Sequence, residues 1–586
     1  MTTQPATTTF DVFTVEIIRN AFASIALEMN RTLRRTAHNP LLYEVQDFGV
    51  GIVSADAELW GDAPGQSLFV GALSETVATA LERHGADGFA DGDVLICNDP
   101  FSTGTHISDT SVYVPIVWEG ELVAFAMTTA HWADIGGKSP GGWCPDSTDT
   151  YQEGLCFVHQ HLVRAGTPTE LIDVIRHNVR VPAVVLGDLD AQIAACRLGA
   201  ARTLALCERH GSGGVRDAMR AVIARTEAAI REQIRALPDG TYRAEVAMDH
   251  DGVVKDVHPC VRLQATIAGD ELRVSFEGSD AATRGPVNVP AIGTRAAVRV
   301  VAKALLAPRD NTNEGHFRAL AFDLPGGLVV SAERPSPTDS YGYVVTAIEE
   351  LAFRALAQVL PERAPAGGFP LVGVLLARVD PRDGAPFVLI DGMGGGNGAG
   401  AASDGPSIML FANGDVTNTP VEVCESRYPV RVRRFAVDPA SAGAGRFRGG
   451  AGLVREYELL EDGIFLQTVT ENSVDPLGKG LFGGGTGATG GIVVNPGRPA
   501  EDVLHERVTY YGPLGAGDVV TAQTGGGGGW GPPHERDPET VAADVRDDRV
   551  SADEAAATYR VAVVPGERGE QEVDERATAR LRGAAG

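Results

Sequence analysis

The chain has 586 residues, 44% hydrophobic and 22% charged, with a formal net charge of −27. That length exceeds what one hydrophobic core usually organises and the composition is that of a folded chain, which excludes a peptide-sized module and a disordered tail alike. The acidity argues against a nucleic-acid groove or an anionic membrane surface as the main partner.

Residues 11–36 predict a helix, because Val15, Ile18, Phe22, Ile25, Met29 and Leu33 recur at steps of three and four with Arg34 and Arg35 in the last turn. His38-Asn39-Pro40 stops it, and His38 is expected to cap its C-terminus as a cation rather than to ligate. A second helix is expected over 70–84. From Val94 the texture becomes β-like, with runs at 94–97, 111–118 and 121–130. Two long helical patterns follow at 188–210 and 214–236, closed by Pro238-Asp239-Gly240. Alternation over 241–278 predicts strands, helices return near 292–307 and 341–360, and most of 368–530 reads as strand and glycine turn. The stretch 538–563 has room for a short helix and a final strand.

This order lacks regular strand–helix alternation, so the expected class is α+β: a mixed fold with an N-terminal helix-containing part, a β-hairpin bearing a metal site, and a β-rich, glycine-rich C-terminal half. The order of predicted elements suggests regions 1–240, 241–365 and 366–586, and since no linker separates them the alternative is a single unit over the whole chain. The 71 glycines cluster in runs such as Gly394-Gly395-Gly396 and Gly525 to Gly529, read as tight backbone turns. Seven scattered cysteines without a C-x-x-C spacing give no disulfide scaffold or zinc ribbon. No leader pattern opens the chain and no 18-residue apolar run occurs, so a cytoplasmic location is expected.

The densest group of chemically capable residues lies between 98 and 153. If 111–118 and 121–130 pair about Glu119-Gly120, opposed residues have numbers summing to about 239, with His131 across from Ser108 and flanked by His106 and Asp109. His106, Asp109 and His131 should then converge within one residue of register, and two imidazoles with a carboxylate suit Zn²⁺, Mn²⁺ or Fe²⁺. Asp99 and Asp134 lie beside them in sequence. Glu153 can serve as a general base or cap a loop. Asp47 is a further carboxylate, but spacing alone does not bring it there.

Nucleotide motifs fail on inspection. Gly136-Gly137-Lys138-Ser139 has Trp132 where a P-loop needs glycine, and the G-x-G-x-x-G at 485–490 precedes a β-like run rather than a helix.

Eight stretches carry a family resemblance: TAHNPLLYEVQDF (36–48), NDPFSTGTHISDTSVYVPI (98–116), AHWADIGGKSPG (130–141), QEG (152–154), GPVNVP (285–290), NTPVEVCESRYP (418–429), RFRGGAGLVRE (446–456) and GGGGGWGPPHERDPETVAADV (525–545). Together they resemble the hydantoinase B / oxoprolinase family, the B-type subunits of ATP-dependent hydantoinases and lactamases, with relatives among acetone and acetophenone carboxylase subunits. The resemblance implies that Asp47, His106, Asp109 and His131 bind a divalent metal, with Asp99, Asp134 or Glu153 as base or orienting group. It also implies an A-type partner subunit, in a heterotetramer or larger assembly, that binds ATP and phosphorylates the carbonyl oxygen of a hydantoin, 5-oxoproline or other lactam. Metal-activated water would then open the ring. The alternative implied reaction is ATP-dependent ketone carboxylation. The chain departs from the family where an apolar-His-Leu-Gly segment is replaced by Ser67-Leu68-Phe69-Val70-Gly71, so recognition near 66–71 is expected to differ.

Overall fold

A computed structural model describes residues 11–380, 382, 384–412, 416–470, 476–504, 508–566 and 570–583. The opening segment 1–10, read above for a leader, lies outside the described residues. No helix among the described residues is long and apolar enough to cross a membrane.

The helix Val12–Thr36 starts where Asp11 accepts the N–H of Thr14 at 3.0 Å, an N-cap that satisfies one of the orphan donors of the first turn. Its stripe Ile18, Phe22, Ile25, Met29 and Leu33 is fully turned inward. The end is closed by the Ala37 N–H on the Leu33 carbonyl, not by His38, whose ring instead packs against Gly187 in the helix Pro182–His210. The backbone N–H groups of His38 and Asn39 go to Asp188 of that same helix.

Seven antiparallel strands form the first sheet: β1 (Phe48–Ser54), β2 (Leu59–Asp62), β3 (Val94–Cys97), β4 (Asp109–Trp118), β5 (Glu121–His131), β6 (Gln160–Arg164) and β7 (Thr167–Pro168), in the order β2-β1-β5-β4-β3-β6-β7. Val112, Val114, Ala124 and Ala126 face the helices Val12–Thr36 and Pro182–His210, while Tyr113, Phe125 and Met127 face the helix Ser67–His84. Both faces are therefore buried. Such strands read as continuous apolar runs rather than as polar alternation.

A second, four-stranded sheet (Gly240–Ala247, Cys260–Ala268, Glu271–Ser275, Leu320–Asp323) packs on the helices Ala291–Leu306 and Tyr341–Leu356. Leu68, Ile230 and Ile234 enter that same core from the N-terminal region. Two further sheets share one core: Phe387–Met393, Val372–Arg378, Ile464–Thr470 and Val508–Leu514 form one, and Val430–Asp438, Gly452–Leu459, Val519–Gln523, Gly491–Val494 and Asp502–Leu504 the other. The fold is α+β with a β-rich C-terminal half. Beyond it, 538–563 holds two helices, Pro538–Arg546 and Ala552–Ala557, rather than one.

The long glycine runs are not turns. Gly525 to Gly529 run as an extended segment among five others, near residues 366–367, 394–399, 443–450, 478–480 and 484–488, and the contacts are mostly backbone on backbone. The N–H of Gly527 meets the Gly450 carbonyl at 2.9 Å, that of Gly528 the Gly367 carbonyl at 2.8 Å, and that of Gly529 the Gly485 carbonyl at 2.8 Å. Hydrogen bonds leave successive residues towards different neighbours, so the segments form a bundle rather than a flat ladder. As on the axis of a collagen triple helix, glycine is required because no Cβ fits.

Candidate metal centre

β4 and β5 are joined by the Glu119-Gly120 turn and start in the expected register, with Trp118 opposite Glu121 and Val117 opposite Leu122. Val123 is then left unmatched and Ile116 pairs with Ala124, a one-residue β-bulge. Every later pair is shifted by one. His131 consequently stands opposite Asp109, not Ser108.

The bulge brings three donor atoms into one small triangle. His106 Nε2 lies 3.1 Å from His131 Nδ1 and 3.1 Å from Asp109 Oδ1, and the latter two are 3.1 Å apart. Hydrogen bonding alone does not satisfy this arrangement. His106 Nδ1 is 3.0 Å from the Asp339 carbonyl, an acceptor, so Nδ1 carries the hydrogen and a neutral ring presents the Nε2 lone pair to a carboxylate. Positive charge has to enter the triangle. A proton on His106 is one source: burial opposes it, but Asp109 and Asp339 outweigh burial and hold the imidazole at about 9. Against the cost of its own burial, Asp109 is held well below the usual carboxylate range by His106 and His131.

A divalent cation is the other source, and the spacing fits it. Ligands about 2.0–2.1 Å from an ion are separated by roughly 2.9 Å along an octahedral edge and about 3.4 Å along a tetrahedral one. His106, Asp109 and His131 are the group of three or more His, Cys, Asp or Glu residues among the described residues whose ligand atoms approach closely enough to hold a metal. Beside them, His131 Nε2 and Asp339 Oδ1 are buried without a hydrogen-bond partner among the described residues. The polar capacity of the site therefore exceeds what the chain itself satisfies.

Asp47 reaches the same place through long-range pairing. β1 lies against β5 with Phe48 opposite Ala130, and the Asp47 carbonyl accepts the His131 N–H at 3.2 Å. Its carboxylate takes the Gln66 amide at 3.4 Å and lines the cavity above the triangle, outside the closest set of three. Burial pushes the Asp47 carboxyl upward, against the pull of His131.

The other sequence candidates stand apart from this cavity. Asp99 precedes the short helix Pro100–Thr103 without a side-chain bond to its backbone, and pairs with Arg334 and with the Ser102 hydroxyl. Asp134 is fully buried, bonded to the backbone N–H of Arg180 at 2.7 Å, to the Arg180 guanidinium and to the Gly141 N–H. Glu153 lies behind the site and accepts from Ser147 at 2.7 Å and from the Thr338 and Asp339 backbone N–H groups at 2.9 Å. Burial, reinforced by Asp339, raises it to about 7.

Residues that sequence reasoning passed over complete the cavity, whose volume is about 160 Å³. Tyr341 donates its hydroxyl to Asp109 Oδ2 at 3.0 Å, and Asp339 and Gln66 contribute polar groups to the wall. Asp339 and Tyr341 open the helix Tyr341–Leu356, whose start was legible as an Asp-Ser pair before an apolar run. Their approach to His106 was not.

The chain matches the family model described as Hydantoinase B/oxoprolinase over residues 11–533 and belongs to that family. It is 30% identical over 596 residues to the caprolactamase subunit beta of Pseudomonas jessenii, covering 97% of this chain and 98% of that one. The crystal structure of the ATP-dependent caprolactamase from the same organism superposes with a TM-score of 0.85 at 27% identity, over 98% of this chain and 100% of the other. A nucleotide-free acetone carboxylase has the same fold, with a TM-score of 0.88 at 19% identity over 98% of this chain and 82% of that one.

Proposed function

We propose that this chain is the hydrolytic, B-type subunit of a cytoplasmic, ATP-dependent cyclic amidohydrolase, and that it opens a lactam or hydantoin ring whose carbonyl oxygen an A-type partner subunit has phosphorylated. The triangle of His106, Asp109 and His131 at the floor of a mostly apolar cavity carries the reading. With Asp47, these residues would hold a zinc, manganese or iron ion, which when bound supplies Lewis-acid polarisation and a nucleophile at neutral pH.

The chain's own residues do the rest. The Asp339 carbonyl fixes the His106 tautomer so that Nε2 points inward. Tyr341 holds Asp109 by Oδ2, the oxygen that does not face the imidazoles. The open Oδ1 of Asp339 accepts a hydrogen bond from the attacking water and orients it. Glu153 fixes the 338–339 backbone and is a positioning residue, while Asp99 and Asp134 anchor the loops on either side of β4 and β5. Apolar walls keep bulk water from the carbon that bears the phosphorylated oxygen. The lack of a P-loop agrees with ATP being bound by the partner.

The test is ring opening by the assembled complex with ATP. His106→Ala and His131→Ala should each lose at least about 10³-fold in turnover while still assembling with the partner. Full activity with unchanged metal content sinks the assignment. Ketone-dependent fixation of labelled bicarbonate would assign a carboxylase instead.

A further inference from the structure

We infer that this cavity takes ring amides with a hydrocarbon body and no ionised substituent, and that it rejects a ring bearing a carboxylate such as 5-oxoproline; the inference rests on the amidohydrolase reading above. A carboxylate on the substrate would need a counter-charge or a cradle of N–H groups once it leaves water. The cavity supplies neither. Among the described residues that line it, none is Arg or Lys.

Of the backbone N–H groups at the start of the helix Tyr341–Leu356, five are already engaged, and that of Gly342 by itself does not make a cradle. Those of Thr338 and Asp339 go to Glu153, that of Ser340 to the Pro286 carbonyl at 2.9 Å, that of Tyr341 to the Thr338 carbonyl at 3.0 Å, and that of Tyr343 to the Ser340 carbonyl at 3.4 Å. Three side-chain donors on the wall are turned towards the chain's own carboxylates, Gln66 to Asp47, Ser340 to Asp339 and Tyr341 to Asp109, and the Thr346 hydroxyl goes to the Gly342 carbonyl. An incoming anion finds them occupied.

Asp47, Asp109 and Asp339 line the cavity, and no Arg or Lys side chain among the described lining residues opposes them. A phosphoryl group carried in on the substrate needs the ion's field for itself. What remains is apolar surface, from Leu41, Phe69, Trp143, Leu371, Ile390 and Leu410, which suits methylene groups.

The experiment compares a six-carbon lactam, hydantoin and 5-oxoproline as substrates of the assembled complex with ATP, and titrates each compound into the same complex by calorimetry without ATP. A neutral ring should be opened with kcat/KM at least about 100-fold above that for 5-oxoproline and should bind at concentrations where 5-oxoproline gives no heat. Leu371 is half-buried, and Leu371→Arg should narrow the gap about tenfold by raising the rate with 5-oxoproline. Equal or faster opening of 5-oxoproline by the parent complex overturns this inference and leaves the amidohydrolase standing. If neither ring opens and bicarbonate is fixed on a ketone, both fall.

Discussion

Glu153 accepts the backbone N–H of Asp339 at 2.9 Å, and the carbonyl of that same Asp339 faces Nδ1 of His106 at 3.0 Å. A carboxylate that does not line the cavity thus bears on the ring of a candidate ligand through the backbone of one residue. Glu153→Ala should lower both metal occupancy and ring opening by roughly 10- to 100-fold. Glu153→Gln keeps an oxygen where Oε1 receives Ser147, Thr338 and Asp339, and it should restore most of both. A general base would lose its activity in either variant, so the ratio of the two rates separates positioning from proton transfer.

Tyr341 restrains Asp109 through one hydrogen bond at 3.0 Å, with its ring against His106 at a centroid distance of 5.1 Å. Tyr341→Phe removes the bond and keeps the ring. Metal should dissociate about tenfold more readily, as read by competition with a chromogenic chelator, with the melting temperature of the metal-free protein little changed.

Asp188 carries a pH dependence far from the cavity. Burial raises its carboxyl from 3.8 to about 6, although the His38 and Asn39 amides bond its Oδ1, and Oδ2 is buried without a hydrogen-bond partner among the described residues. Because the folded value lies above the unfolded one, the folded chain binds the extra proton between them. The stability contributed by this group is therefore full below about pH 4 and is lost as pH rises through about 6. Asp188→Asn retains the accepting oxygen and removes the charge. It should leave the melting temperature nearly unchanged at pH 3.5 and raise it at pH 7.5, by a free energy on the order of 3 kcal/mol.

Two glycines give a sharper contrast. A Cβ on Gly527 would overlap the Asn397 carbonyl, and both elements are held by the bundle's own hydrogen bonds. Gly527→Ala should cost more than about 4 kcal/mol, read as loss of soluble protein or of the cooperative melt. Gly491, at the start of a strand, meets nothing within 4 Å of an added Cβ. Gly491→Ala should melt within a degree or two of the parent, because it only restricts the unfolded chain.

Those two glycines also mark what local sequence can and cannot report. Helix Val12–Thr36 and the hairpin of β4 and β5 were legible because each is specified by its own periodicity and its own turn. Hairpin geometry alone brought His106, Asp109 and His131 together. Val123, the residue that moves His131 from Ser108 to Asp109, has no compositional mark, since a bulge is chosen by how both faces of the strand pack. Asp47 needed the pairing of β1 with β5 to place it, and Asp339 and Tyr341 arrive from more than 200 residues away. The glycine runs were misread for a related reason. A turn needs one run, whereas the bundle needs several runs, far apart in the chain, to meet.

The separation between floor and wall in the cavity has an evolutionary consequence. The floor of the candidate centre is written within 26 consecutive residues, His106 to His131, on one sheet with both faces locked in core. Leu371, Ile390, Leu410 and Val416 come from a different half of the chain and from different sheets and loops. Mutations there can therefore reshape the chamber above the candidate centre without touching His106, Asp109 or His131. The shape of the chamber is free to drift while the floor stays as it is.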